Sequence, residues 1–118
     1  WTGPLFDKLK WDTYTSSDIF CLPSHQENFG ISVAEAMSCK KPVIITNKIN
    51  IWHIIKNNSA GFVSNDTFSS FYLSFKKYLK LNKIEYKKYS KNSYNCFLKN
   101  FYMRPIAKKF VNYLKNDI

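Results

Sequence analysis

The chain has 118 residues, enough for one small domain. It is 45% hydrophobic and 18% aromatic, which excludes a disordered composition, and no apolar run approaches the ~20 residues of a membrane-spanning helix. The net charge of +10 is lopsided: residues 1–65 hold six lysines against five acids, while residues 66–118 carry +9.

Asp7 to Ser17 reads as a short helix, with Leu9, Trp11 and Tyr14 among its apolar positions. Asp18-Ile19-Phe20-Cys21-Leu22-Pro23 is a short apolar run closed by proline, the pattern of a buried strand. A second helix spans Phe29 to Cys39, where Ile31, Ala34 and Met37 or Ser38 share a face. Ala-Glu-Ala-Met favours helix, and Lys40-Lys41 suits the negative end of its dipole. Pro42 to Thr46 is a β-branched second strand, and Ala60 to Ser64 a weaker third. Strand, helix and strand with short links predict a parallel βαβ sheet.

Beyond Asp66 the pattern turns helical. Thr67 to Leu81 carries Phe68, Phe71, Tyr72, Phe75, Tyr78 and Leu79 on a broad apolar stripe, expected to be core. Glu85 to Phe101 forms a less regular helix, and Pro105 opens a third with Ile106, Phe110, Tyr113 and Leu114 on one face.

Three cysteines, Cys21, Cys39 and Cys96, are odd in number and show neither zinc spacing nor a disulfide framework. Cys21 and Cys39 read as small hydrophobes. Together these point to the cytoplasm. Acceptor tripeptides at Asn57 and Asn65 do not alter that, because they arise often by chance in an Asn-rich chain. The start at Trp1, without methionine or leader, reads as a cut through something longer. The basic second half is mainly a solvated helix surface. With one arginine and no motif, no nucleic-acid partner is expected. An anionic membrane surface, on the inner face of a membrane, remains a candidate partner.

The stretch from Pro23 to Met37 carries the chemistry. It links a strand end to a helix start, where open parallel sheets bind ligands. Backbone N–H groups near Gly30, Ile31 and Ser32 suit hydroxyls or phosphate, and Gly30 admits close backbone approach. Glu27 can accept sugar hydroxyls, and Glu35 can take both hydroxyls of a ribose. As two glutamates alone, they read more readily as an ordinary loop residue and an ordinary helix-surface residue.

The surrounding residues add to this. Ser17-Asp18-Ile19-Phe20, Leu22-Pro23-Ser24, Glu27-Asn28-Phe29-Gly30, Glu35-Ala36-Met37 and Pro42-Val43-Ile44 together resemble family 4 of the glycosyltransferases. These are retaining enzymes with two facing Rossmann-like domains, the GT-B type. The resemblance continues weakly through Ala60-Gly61-Phe62 and into the closing helices from Phe101 to Leu114. It implies an α/β fold: a parallel Rossmann-like sheet with flanking helices, part of the C-terminal domain, ending in a helical segment. Residues 1–66 would be the nucleotide-sugar-binding region and 67–118 the helices that close it.

By the same resemblance, Glu27 is the catalytic glutamate beside the donor sugar and Glu35 holds the ribose. Asn28, Phe29, Gly30 and Ile31 meet the sugar and diphosphate, with Ser24 nearby. A nucleotide-diphosphate sugar is the donor, a glycan or lipid-linked molecule the acceptor, and neither metal nor cofactor is required. Retention would follow front-face attack through an oxocarbenium-like state. The sequence departs from the family at Ile49-Asn50-Ile51-Trp52-His53, where a Gly-Gly loop and a Pro-Glu pair are usual, and a lysine replaces the glycine before Pro42. His53 reads as a surface or supporting residue rather than a base. The phosphate-neutralising Arg and Lys and the acceptor-binding domain would lie upstream, so this half of the site is expected to be inactive alone. The alternative is a degenerate, non-catalytic nucleotide-sugar-binding or interaction module.

Overall fold

The computed structural model describes residues 2–103 and Asn112. The helix expected from Pro105 lies outside the described residues.

The chain runs α1 (Asp7–Ser16), β1 (Phe20–Leu22), α2 (Ile31–Ser38), β2 (Val43–Thr46), α3 (Trp52–Asn57), β3 (Gly61–Ser64), α4 (Phe68–Leu79) and α5 (Lys83–Asn100). The three strands form one parallel sheet in the order β1-β2-β3. Phe20 lies opposite Val43, and Val43 opposite Gly61. Each crossover runs through a helix, as parallel pairing demands.

Burial follows from that order. β2 is central, and all four of its residues are buried, as expected for a strand covered on both faces. Val43 and Ile45 join Val33, Met37, Ile55 and Cys96 in a core shared with α2, α3 and α5. Thr46 points the other way, beside Phe68 and Phe71 of α4. The sheet is therefore sandwiched between α2, α3 and α5 on one side and α4 on the other.

β1 departs from its sequence pattern. It alternates half-buried, exposed, half-buried, with Cys21 facing outward rather than acting as a core residue. It lies at the edge of the described sheet, beyond the main contact of α4 with β2 and β3. In α2 the buried face comprises Val33, Ala34, Ala36 and Met37, while Ile31 is 67% exposed. Ile31 opens the helix at the rim of the sheet, one turn above the covered layer.

The stripe on α4 is only partly core. Phe71 and Phe75 are half-buried, but Phe68 is 86% exposed and Tyr72 and Leu79 also face out. The stripe is wider than the face that β2 and β3 offer, so its flanks stay in water. α5 begins at Lys83, two residues before the expected Glu85, because Asn82 and Glu85 form a capping box. Tyr86 Oη donates to the Asp18 carbonyl at 2.7 Å. Ser90 and Ser93 donate to the carbonyls of Lys40 and Lys41, both at 2.6 Å. These bonds tie the first half of α5 to the amino ends of the strands. Phe101, just past its other end, reaches the opposite pole.

Candidate functional site

The carboxyl ends of β1, β2 and β3 each feed a loop at one pole of the sheet: residues 23–30, 47–51 and 65–67. The first two loops are paired. Glu27 forms a parallel bridge with Ile49. The Glu27 amide donates to the Lys48 carbonyl and the Asn50 amide to the Glu27 carbonyl, both at 3.4 Å. Ile49 is fully buried and anchors this seam. The side chain of Thr46, also buried, donates to the carbonyl of Ser24 and fixes the base of the first loop to β2. Ser24 Oγ in turn donates to the Gln26 carbonyl at 2.9 Å.

The second and third loops are clasped as well. The Asn47 amide donates to the Ser64 carbonyl at 2.8 Å, and Asn47 Nδ2 to Asn65 Oδ1 at 3.2 Å. Asn47 Oδ1 is buried with no donor among the described residues. His25 Nδ1 stands 3.5 Å from Asp66 Oδ2, so the first and third loops approach each other too. Between them lies a cleft of about 360 Å³ bounded by Pro23, His25, Thr46, Thr67 and Phe71. A second cleft of similar size is lined by Asn47, Trp52, Lys56, Asn65 and Ser70.

The start of α2 is shaped by Gly30. Its φ of +70° and ψ of +56° place it in the left-handed region. Its carbonyl accepts from Val33 at 2.9 Å and Ala34 at 3.3 Å. The N–H groups of Ile31 and Ser32 therefore have no intrahelical partner and point out of the helix end. A Cβ on Gly30 would sit 3.2 Å from both Ile49 Cγ2 and Val33 Cγ2. Gly30→Ala is thus expected to cost about 1–2 kcal/mol, from the left-handed backbone and the two close contacts. Chemical denaturation of the purified protein measures it. A loss below a few tenths would mean the loop relaxes freely.

The residues singled out in the sequence fall into two groups. Ser24, Glu27, Asn28, Phe29, Gly30 and Ile31 occupy one continuous turn at this pole, and the Glu27 and Asn28 side chains are exposed. Phe29 packs edge-on against Phe101, with ring centroids 5.8 Å apart. Glu35 lies one turn further along α2, with its carboxylate engaged by α1. Lys10 Nζ is 2.9 Å from Oε1 and Tyr14 Oη 3.0 Å from Oε2. His53 is exposed on α3. Three contributors escaped the sequence reading. Tyr14 reads as an apolar helix position, Lys10 is wrongly placed to match the family's phosphate-binding lysine, and Asn47 only bounds the second strand. The tyrosine four residues after a lysine was the available signal, since that spacing puts both on one helix face.

Two lysines of the second half lie elsewhere. The turn between α4 and α5, with Lys80 and Lys83, sits by Asp18 at the amino ends of the strands, away from these loops. No helix among the described residues is long and apolar enough to cross a membrane.

Together these features define a partial α/β domain of the GT-B type, with helix-flanked parallel strands and paired loops at their carboxyl ends. Residues 1–96 match the family model described as glycosyl transferases group 1, and the chain belongs to that family. A relative from Thermosipho melanesiensis, named "Probable sucrose-phosphate synthase", is 32% identical over 99 residues, which is 84% of this chain and 22% of that protein. The D-inositol 3-phosphate glycosyltransferase of Rhodococcus jostii is 35% identical over 52 residues, 44% of this chain and 12% of the relative. Among solved structures, the sucrose-phosphate synthase of Thermosynechococcus elongatus superposes with a TM-score of 0.76 at 19% identity. That match covers 88% of this chain and 26% of the other. The chain thus spans about a fifth of the first relative's length.

Proposed function

We propose that this chain is the donor-binding part of a retaining glycosyltransferase of the family 4 type, which moves a sugar from a nucleoside diphosphate to a glycan or lipid-linked acceptor. Residues 1–66 form its nucleotide-sugar region and 67–118 close the same domain. The observation that carries this reading is the turn from Ser24 to Ile31. It brings a free carboxylate, a left-handed glycine and unpaired helix-end N–H groups to the carboxyl pole of a parallel sheet.

In this reading the amides of Asn28, Phe29, Gly30 and Ile31 meet the sugar and the diphosphate. Glu27 stands beside the sugar, and Glu35 takes the ribose diol. The acceptor oxygen bonds to the anomeric carbon on the face from which the diphosphate departs, and the acceptor's proton leaves with that phosphate. The diphosphate charge is neutralised by protein groups rather than a metal or cofactor. The acceptor domain and the phosphate-binding cations belong to other parts of the protein, so this part alone does not turn over. The setting is cytoplasmic, and contact with an anionic inner membrane face would use the lysines at the far pole.

A thermal shift of the full-length protein with a panel of nucleoside diphosphates tests this. One base family at saturation should raise Tm by roughly 5 °C or more. Glu35→Ala should abolish that rise, and it should also lower the unliganded Tm by a few degrees because Lys10 and Tyr14 lose their shared acceptor. A second reading, a module that keeps the fold without turnover, is favoured by the Ile49 to His53 replacement of the usual loop. No shift with any nucleotide would decide for it.

A further inference from the structure

α1 buries none of its residues, yet two of its side chains converge on one carboxylate. Lys10 and Tyr14 stand one helical turn apart and donate to different oxygens of Glu35. The ion pair is largely shielded, with the Lys10 and Glu35 side chains 33% and 22% exposed. Trp11 and Phe20 both pack against the Tyr14 ring, each with its ring centroid 5.8 Å away. Burial, then the hydrogen bond and charge of Glu35, push the Tyr14 phenol far above its ordinary value. Like any phenol at a pH well below its pKa, it is protonated and a donor at neutral pH.

A carboxylate offers about four acceptor sites, two on each oxygen. Here each oxygen uses one, which leaves one on each for a further donor. Without its partners, a glutamate one turn into a surface helix would sample several rotamers, and a ligand would have to restrict it on binding. Two donors from a neighbouring helix remove that freedom beforehand. The chain path places α1 suitably. α1 leads into β1 through a short link, so its first turn lies at the same pole as the first turn of α2.

We propose that Lys10 and Tyr14 are positioning residues that fix Glu35 so its remaining lone pairs face the ribose diol of a nucleoside diphosphate. This rests on the donor-site reading above. Were the three residues only a clasp between α1 and α2, their loss would lower stability without altering sugar discrimination.

The experiment titrates the full-length protein calorimetrically with the tightest-binding nucleoside diphosphate and with its 2′-deoxy analogue. The unsubstituted protein should prefer the ribonucleotide by about tenfold or more, the effect of one charged hydrogen bond. Tyr14→Phe keeps the ring and removes one donor. It should shrink that preference by roughly 3- to 10-fold while 2′-deoxy affinity changes by less than about 2-fold. Lys10→Met should act in the same direction, and it decides alone if Tyr14→Phe does not fold. An unchanged preference in the folded variants overturns the positioning role and leaves the ribose reading standing. Equal binding of the two analogues by the unsubstituted protein overturns the ribose reading of Glu35 and the proposal with it.

Discussion

Gly61→Ala is expected to lower the unfolding free energy by roughly 3 kcal/mol or more, which a domain of this size can barely sustain. Gly61 opens β3 directly opposite Val43. A Cβ there would lie 2.0 Å from the Val43 carbonyl oxygen and 2.9 Å from its Cγ2. The obstructing atom is backbone of the central strand, so no rotamer change relieves it. Either the β2–β3 ladder parts at this end or β3 slides, and both expose Ile44 and Ile45. Urea denaturation should show a midpoint lowered by about 1–2 M at unchanged slope. A midpoint within about 0.2 M of the unsubstituted protein would mean that β2 and β3 do not pair in this register.

The second large effect concerns turnover. If the proposed function holds, Glu27→Gln in the full-length protein should reduce kcat by about 10²- to 10³-fold with nucleoside diphosphate affinity nearly unchanged. A carboxylate beside the donor sugar opposes the positive charge that develops at the anomeric carbon, and an amide of equal size does not. Because the Glu27 backbone, not its side chain, forms the seam with Lys48 and Asn50, the substitution spares the loop. Steady-state transfer rates alongside nucleotide titration separate the cases. A fall in affinity with kcat retained would make Glu27 a binding residue only.

Much of the fold was legible because each element carries a local cause. Val43 to Thr46 is apolar and β-branched, and it is the central strand. Asp7, Ile31 and Phe68 begin helices within a residue or two of where the pattern placed them. What escaped needed long-range information. α3, from Trp52 to Asn57, is six residues long, too short for helical periodicity to register, and only its first two residues fall in the divergent stretch Ile49 to His53. The α4 stripe gave its own width but not the width of the sheet beneath it. Within the candidate site, the turn from Ser24 to Ile31 was legible as one continuous motif. The engagement of Glu35 was not, because Lys10 and Tyr14 lie 25 and 21 residues away in sequence.

The seam between the first two loops is joined by longer hydrogen bonds than its neighbour. Its two hydrogen bonds are 3.4 Å long, whereas the clasp between the second loop and β3 is 2.8 Å. Long bonds at a solvent-exposed rim open at small free-energy cost, far below that of unfolding the sheet. Opening there would leave the strands undisturbed, because the buried Thr46 tether keeps the base of the first loop on β2. The same softness makes this rim, rather than the core, the place where such a chain can accumulate changes in specificity without losing its fold.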